Sequence, residues 1–366
     1  MIWQYSYINR LLDLNYNSLS DALNDSELIG LKLDFLPQKL FRFYSPTEEN
    51  ILDIRNRRIW LSSPTAFNDP FEYSVGFNVD EYIKSFIIKF ALEEQKGNRS
   101  IPTSIFTKED LYQIYDSYTK DPIKSISKKK SFSLCLMQIL QTKDTSFQNH
   151  ITHVISKRVN AAINFIDNIR LNNYRIACFS ADWKFWEILD NLLLWAHYTR
   201  SYQGFCVEYD ISNLQNGNNK YIQNDSLYNQ ITLGLFPVYY NNKRIQMPKT
   251  IVEKHYLDKI DCNDKKSIQR IRLLSLISKS INWYYEKEWR LIIDNKTAEY
   301  YNYKIPFPFI EAIYIGCNAS DQLIRELSLL CQASQCRLFC QSQQSDKRSG
   351  IPQRPTNSTS IGVFII

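Results

Sequence analysis

Short runs with strand character recur along the whole chain, and segments with helical periodicity separate them. The runs are rich in aromatic and β-branched residues and are bounded by turn formers, which is typical of β-strands. They are 40–44, 58–63, 174–180, 204–210, 236–240, 286–294 and 310–316. Strands interspersed with helices in this way predict an α+β fold, with a mixed, mainly antiparallel sheet and helices inserted between its strands.

The chain has enough apolar side chain to bury a large core. Of its 366 residues, 44% are hydrophobic and 22% are charged, which excludes disorder along most of the chain. The net charge of +6 is small for a protein that coats nucleic acid. Only 9 residues are glycine, and none of them forms a GxGxxG or GxxxxGKS/T motif. A bound nucleotide therefore has to be held without a glycine-rich loop.

The pattern divides the chain into three parts. We predict an N-terminal extension at 1–39 and a single α+β domain at 40–340, with a helical insertion at about 80–172 where apolar residues recur at three-to-four spacing. The tail 341–366 is polar, but its apolar end 361–366 can add an edge strand.

Several helix boundaries have local signals. Ser45, followed by Pro46 and Glu48, predicts a capping box for a helix that runs to about residue 57. Ser320 predicts the start of a helix that runs to about residue 333. Residues 183–198 are predicted to form one helix, which ends before Gly204.

The chain carries no recognisable signal peptide and no apolar stretch that would span a bilayer, so we expect a cytoplasmic protein with no membrane partner. Its 8 cysteines lack disulfide-like spacing, and we expect free thiols. Cys331, Cys336 and Cys340 do not match a zinc motif, so no zinc is expected.

The octet 283–290, WYYEKEWR, is the segment richest in reactive side chains. If it is a strand, Glu286, Glu288 and Arg290 share one face, and the two carboxylates lie about 7 Å apart. Such a pair can stabilise positive charge or hold a metal. The alternative is an edge strand whose solvent-facing carboxylates pair with Arg290.

Other polar residues are candidates with weaker signals. His197 and Tyr198 end an apolar helix, where a histidine serves either as a base or as a packing residue. Asn68 and Asp69 lie in a turn that precedes Glu72 and are either turn formers or binding groups. The run Lys128, Lys129 and Lys130 is either a solvated face or a contact to nucleic acid.

Six segments together resemble a bacterial family, domain of unknown function 2971 (DUF2971). They are LFRFY at 40–44, IWLSSPTAFNDPFE at 59–72, ACFS at 177–180, LWAHY at 194–198 with GFCVEY at 204–209, WYYEKEWR at 283–290 and IYIG at 313–316. The resemblance covers about 40–316 and is interrupted by the helical region. This family looks like one often carried near phage-defence genes, which implies a defence-linked role.

Arg42, the Ser62–Ser63 pair and Glu286-x-Glu288 are also similar, in their order, to the Arg, Ser, Glu-x-Glu pattern of one branch of ADP-ribosyltransferases. That similarity implies NAD as cofactor, a macromolecular acceptor and an ADP-ribosyltransferase-like fold. Arg42 would clamp the pyrophosphate, and Glu288 would hold a ribose hydroxyl while positive charge develops on the sugar. The other expected roles are orientation of the ribose by Ser62 or Ser63, orientation of the acceptor by Glu286, and ring stacking by Tyr44 or Trp60.

Two other classes of function stay open. In a metal-dependent nuclease or phosphodiesterase, carboxylates would bind Mg²⁺ while Lys279 or Lys287 steadies the leaving phosphate. The candidate ligands are Asp69, Glu72, Glu208, Glu286 and Glu288. In a non-catalytic sensor or interaction module, Arg42, His197 and Arg290 would bind an anionic nucleotide. Tyr198 and Trp283 are further candidate substrate contacts.

Overall fold

The computed structural model describes residues 2–13, 30–32, 34–67, 72, 74–83, 141, 145–170, 174–181, 185–212, 214, 225–341 and 363–365. The helices in this part are α1 (Ile2–Asp13), α2 (Glu48–Arg55), α3 (Thr145–Arg170), α4 (Phe185–Leu189), α5 (Leu192–Tyr198), α6 (Asp225–Gly234), α7 (Lys249–Tyr256), α8 (Cys262–Ile277), α9 (Asn295–Tyr300) and α10 (Asp321–Ser334). None of these is long and apolar enough to cross a membrane.

The strands of the same residues are β1 (Lys39–Tyr44), β2 (Arg58–Trp60), β3 (Val75–Gly76), β4 (Tyr174–Ser180), β5 (Phe205–Asp210), β6 (Leu235–Pro237), β7 (Tyr239–Asn241), β8 (Ile245–Gln246), β9 (Ser278–Ser280), β10 (Glu288–Asp294), β11 (Lys304–Pro306), β12 (Ile310–Ile315), β13 (Arg337–Gln341) and β14 (Val363–Ile365). 3₁₀-helices lie at Pro64–Ala66 and Ile281–Glu286.

The chain divides into two compact units. One contains Met1–Tyr73, Leu171–Lys243 and Leu273–Ile366, and the other contains Ser74–Arg170 and Arg244–Arg272. In the second unit β3 pairs in parallel with β8, and α3 packs against α7, where the rings of Phe165 and His255 stack at 3.8 Å. Much of the helical segment predicted at about 80–172 lies outside the described residues.

An eight-stranded sheet organises the first unit. Its strand order is β14-β13-β12-β5-β1-β4-β10-β6. Only the β12–β13 pair is parallel within this sheet, and the other neighbours are antiparallel. This arrangement confirms the predicted α+β class with a mixed, mainly antiparallel sheet. The apolar end of the tail, β14, pairs with β13 at one edge.

Strand β10 separates the apolar core from the polar site. Trp289, Leu291 and Ile293 alternate along it and pack in the main hydrophobic cluster. Because successive side chains of a strand point to opposite faces, Glu288 and Arg290 lie on the other face. Both are almost completely shielded from solvent, with 4% and 0% of their surface exposed. The alternative interpretation of the octet, an edge strand with solvent-facing carboxylates, is therefore wrong, because Glu288 and Arg290 are buried.

Several predicted boundaries are wrong by a few residues. Helix α2 is capped by Thr47, whose hydroxyl accepts from the backbone N–H of Asn50, and not by Ser45. The helix predicted at 183–198 is two helices: the first ends at Leu189, and Asn191 caps the second. Ser320 caps α10 as predicted. The strand predicted to begin at Glu286 begins at Glu288.

Gly204 allows β1 and β5 to meet after an unusual turn. Arg200, Ser201 and Tyr202 all have positive φ angles, of 51°, 55° and 69°, so the chain leaves α5 through a left-handed turn. A Cβ atom on Gly204 would lie 2.0 Å from the carbonyl oxygen of Tyr44. Since that atom belongs to the backbone of a sheet strand, it cannot move aside cheaply, and glycine is required.

Replacing Gly204 with alanine is expected to destabilise the protein by about 2–3 kcal/mol, because the new methyl group overlaps the β1 backbone. Urea denaturation measures the loss. Gly30→Ala is the matched control, since a Cβ at Gly30 meets nothing within 4 Å. Equal stabilities of the two variants would contradict the steric explanation.

Candidate active site

Lys279 lies at the centre of a buried cluster of charged side chains. Its Nζ is 2.9 Å from Glu72 Oε1, 2.5 Å from Glu286 Oε2 and 2.8 Å from Glu288 Oε2. Only 4% of Lys279 is exposed. One ammonium therefore joins Glu72 to Glu286 and Glu288, which lie in a distant part of the chain.

Arg290 is the second cation of this cluster. Its Nε donates to Glu288 Oε1 at 2.8 Å and its Nη2 donates to Glu72 Oε1 at 2.9 Å. Its Nη1 donates to the carbonyl oxygen of Leu276 at 2.7 Å. A fully buried guanidinium needs such partners, since an unpaired buried charge costs several kcal/mol. The predicted shared face of Glu288 and Arg290 thus has a direct structural role.

Glu286 reaches the cluster by a turn and not by strand alternation. Lys287 caps the C-terminal end of the 3₁₀-helix Ile281–Glu286 in a left-handed conformation, with φ 46° and ψ 50°. This residue redirects the backbone before β10 begins, so both flanking carboxylates contact the same ammonium of Lys279. The side chain of Lys287 pairs with Glu187 instead, at 2.6 Å.

Burial and pairing act in opposite directions on these carboxyl groups. Burial alone would raise the pKa of Glu288, but Arg290 and Lys279 outweigh it and lower that pKa to about 2. Burial raises the pKa of Glu286 and of Glu72 despite their cationic neighbours. The carboxylates raise the pKa of Lys279 against the effect of its own burial. Glu288 is therefore ionised at neutral pH, and Glu286 and Glu72 are better suited than Glu288 to exchange a proton.

Three further side chains touch the cluster. The hydroxyl of Tyr198 donates to Glu286 Oε1 at 2.6 Å, and burial, with Glu286 nearby, raises the pKa of this tyrosine. The hydroxyl of Tyr240 accepts from the backbone N–H of Glu288 at 2.8 Å. Cys178 lies beside Glu288, and burial, with that carboxylate, raises the pKa of its thiol. Neither Tyr240 nor Cys178 was predicted as a site residue from the sequence. The ACFS segment of the family resemblance contains Cys178, but no sequence pattern marked Tyr240.

The cluster forms part of the wall of a cavity of about 400 Å³. Its polar lining residues come from several separate segments: Arg42, Ser62, Glu72, Cys178, Ser180, Tyr198, Lys279, Glu286 and Glu288. Its apolar lining residues are Phe41, Phe43, Ala66, Phe67, Ile176, Phe179 and Leu194. A cavity with an apolar wall and a few convergent polar groups is typical of a binding or active site.

Arg42 lies in the cavity wall on β1. Its Nη1 and Nη2 both donate to the carbonyl oxygen of Trp60, each at 3.2 Å. Its guanidinium carbon is 5.8 Å from the centre of the Phe179 ring. Among the described residues Arg42 forms no ion pair, so its charge is available to an anion.

Other sequence candidates lie elsewhere. Tyr44 is buried in the core, where its hydroxyl bonds with that of Tyr209 at 2.7 Å, so its ring cannot stack on a ligand in the cavity. Glu208 is buried at a separate site, paired with Lys39 and accepting from the hydroxyl of Tyr314. The expectation that Glu208 joins the other carboxylates is wrong.

Among the described candidates, Ser63, His197 and Trp283 do not line the cavity. Ser63 caps the 3₁₀-helix Pro64–Ala66 and shares a hydrogen bond with Thr65. His197 is exposed, with its ring 5.9 Å from that of Trp283. The Trp283 ring in turn lies 5.1 Å from Lys279 Nζ. Asn68, Asp69 and the run Lys128, Lys129 and Lys130 fall outside the described residues.

The fold and the site define an α+β protein whose cavity is lined by carboxylates held by two buried cations. A family model described as protein of unknown function (DUF2971) matches residues 194–291. This match confirms the family resemblance and includes Tyr198, Lys279, Glu286, Glu288 and Arg290. No curated protein and no solved structure matches the chain.

Replacing Lys279 with methionine is expected to destabilise the protein by about 3–5 kcal/mol, because it leaves buried carboxylates without their shared cation. Urea denaturation at neutral pH measures the loss. Lys287→Met is the matched control: it removes a neighbouring lysine whose ion pair with Glu187 is partly exposed, and it should cost at most about 1 kcal/mol. Similar losses for both variants would show that the three-carboxylate contact does not stabilise the fold.

The pH dependence of stability tests the charge state of Glu288. Its folded pKa of about 2 lies below the ordinary value of 4.5, so the ionised side chain stabilises the fold above pH 4.5 and loses this contribution as the pH falls towards 2. Glutamine cannot ionise. We therefore expect Glu288→Gln to cost about 3 kcal/mol near pH 7 and clearly less near pH 3.

Denaturation series at the two pH values provide the measurement. Glu311→Gln removes a partly exposed carboxylate that pairs with Arg337 and should show a small, nearly constant difference from the parent protein. A Glu288→Gln deficit that does not change with pH would contradict an ionised, stabilising Glu288.

Proposed function

We propose that this chain transfers ADP-ribose from NAD to a macromolecular acceptor. The observation that carries the proposal is convergence: Arg42, Ser62 and the pair Glu286 and Glu288 line one cavity, although they lie far apart in the sequence. These are the residue types, in the same order, on which the similarity to ADP-ribosyltransferases rests.

The net charge of the cluster suits the cation that this reaction creates. Glu72, Glu286 and Glu288 together exceed Lys279 and Arg290 by one negative charge when all five groups are ionised. Departure of nicotinamide leaves positive charge on the ribose. A carboxylate that is already ionised and oriented in a site shielded from water stabilises such a charge without reorganisation, and Glu288 meets this description.

Arg42 supplies the complementary charge for the other end of the dinucleotide. An arginine held by a backbone carbonyl and by aromatic contacts presents an oriented guanidinium, which binds phosphate oxygens through paired hydrogen bonds. Ser62 adds a hydroxyl to the same wall. This arrangement binds pyrophosphate without a glycine-rich loop.

Glu286 and Tyr198 form the pair that would handle the acceptor. The raised pKa of Glu286 brings its proton exchange closer to neutral pH than that of Glu288. Its hydrogen bond with Tyr198 fixes the position of the carboxyl group. We assign Glu286 the removal of a proton from the acceptor nucleophile as its bond to the ribose forms.

The two other classes of function have less support. Three of the carboxylates that would bind Mg²⁺ in a nuclease, Glu72, Glu286 and Glu288, already contact Lys279, and Glu208 lies away from them. In a sensor of an anionic signal, Arg290 would be a binding group, but its three nitrogen atoms already have acceptors within the protein. A role in phage defence stays a prediction from the family resemblance.

Purified full-length protein is expected to release nicotinamide from NAD in the presence of its acceptor, supplied as an extract of infected cells. Chromatography quantifies the nicotinamide. Glu288→Gln should lower the rate by at least about 100-fold, because it removes the charge that stabilises the transition state. Circular dichroism confirms that the compared variants are folded.

Asp53→Asn is the matched control. Asp53 is also buried and ion-paired, with Lys304 Nζ at 3.0 Å, but it lies on α2 and not in the cavity. Its rate per folded molecule should equal that of the parent protein. Absence of nicotinamide release with and without infected-cell extract, or equal losses in the two variants, would reject the proposal.

A further inference from the structure

The end of helix α10 brings Cys331 and Cys336 together. Neither cysteine lines the cavity. The helix stops because Gln335 adopts a left-handed conformation, with φ 55° and ψ 31°. The backbone N–H groups of Gln335 and Cys336 both point to the carbonyl oxygen of Cys331, and the Cys336 bond measures 3.2 Å. This turn places Cys336 Sγ at 2.8 Å from Cys331 Sγ.

The two thiols have different surroundings. Cys331 is buried, with 4% of its surface exposed, and packs in the main core cluster. Cys336 is half-buried and therefore more accessible. The contact with Cys331 lowers the pKa of Cys336, with a smaller contribution from the positive charge of Arg57, and the same contact raises the pKa of Cys331. Cys336 is the better nucleophile, since a thiolate and not a thiol reacts.

We propose that Cys331 and Cys336 form a reversible disulfide when the protein meets a peroxide. Both are free thiols in the structure. The helix-ending turn already holds their sulfur atoms in contact, so closing the bond needs only a small local adjustment of the side chains. An isolated cysteine would instead proceed to higher oxidation states.

The chemistry takes two balanced steps. The Cys336 thiolate attacks one oxygen of hydrogen peroxide, which gives a sulfenic acid and releases hydroxide. The Cys331 sulfur then attacks the Cys336 sulfur, expels the sulfenic oxygen as water and loses its own proton. The two thiols lose two electrons and two hydrogens, and the peroxide is reduced to two molecules of water.

Trypsin provides a direct readout, because one peptide, 326–337, contains both cysteines. The full-length protein is treated with hydrogen peroxide, alkylated under denaturing conditions and digested. The proposal predicts that this peptide loses two hydrogens and carries no alkyl group, and that dithiothreitol before alkylation restores two alkylated thiols. Cys262, which is exposed, reports whether the peroxide reached the protein's thiols.

Two variants separate the roles of the cysteines. Cys331→Ser should leave a sulfenic acid on Cys336, which dimedone traps, whereas Cys336→Ser should leave Cys331 reduced at the same peroxide dose. Cys317→Ser is the matched control and should not change the disulfide. Peptide 326–337 with both thiols still alkylated, while Cys262 is oxidised, would overturn the proposal, as would a bond from either residue to Cys340. If a variant does not fold, the state of peptide 326–337 in the peroxide-treated parent protein still confirms or overturns the disulfide.

Discussion

The contact of Lys279 with three buried carboxylates is the constraint on which the site depends. Each buried charge costs several kcal/mol unless an opposite charge and hydrogen bonds offset the loss of water. Glu72, β9, the Ile281–Glu286 turn and the start of β10 therefore have to assemble together, because any one of them alone would bury an unpaired ion. A local contact thus fixes the position of segments that are far apart in the sequence.

Such a cluster is an expensive way to stabilise a fold, since apolar side chains of similar volume would often stabilise it as well or better. Its benefit is that it holds a carboxylate ionised and immobile beside a cavity. The left-handed Lys287 adds to this cost, and its turn brings Glu286 and Glu288 to the same ammonium. An arrangement that costs more than fold stability requires favours a functional origin for the cluster.

Sequence patterns predicted what local rules determine and missed what tertiary contacts decide. Strands β4, β5 and β12 lie within a residue of their predicted positions, and alternation correctly placed Glu288 with Arg290. It failed at Glu286, because no local signal marks Lys287 as left-handed. The position of Glu208 was also missed: its partners Lys39 and Tyr314 depend on strand order, and strand order has no local signature. Nor did any pattern indicate that Arg244–Arg272 joins the second unit.

The strand order also separates the two chemistries proposed for this chain. Cys336 precedes β13, whereas Cys178 beside Glu288 lies on β4, and β12, β5 and β1 stand between these strands. Four inter-strand steps of about 4.8 Å give a separation of roughly 19 Å across the sheet. Coupling over that distance requires an element with two alternative arrangements, and a continuous hydrogen-bonded sheet resists such a change. The proposed oxidation of the thiols and the proposed turnover at the cavity are therefore independent hypotheses, so evidence against one leaves the other standing.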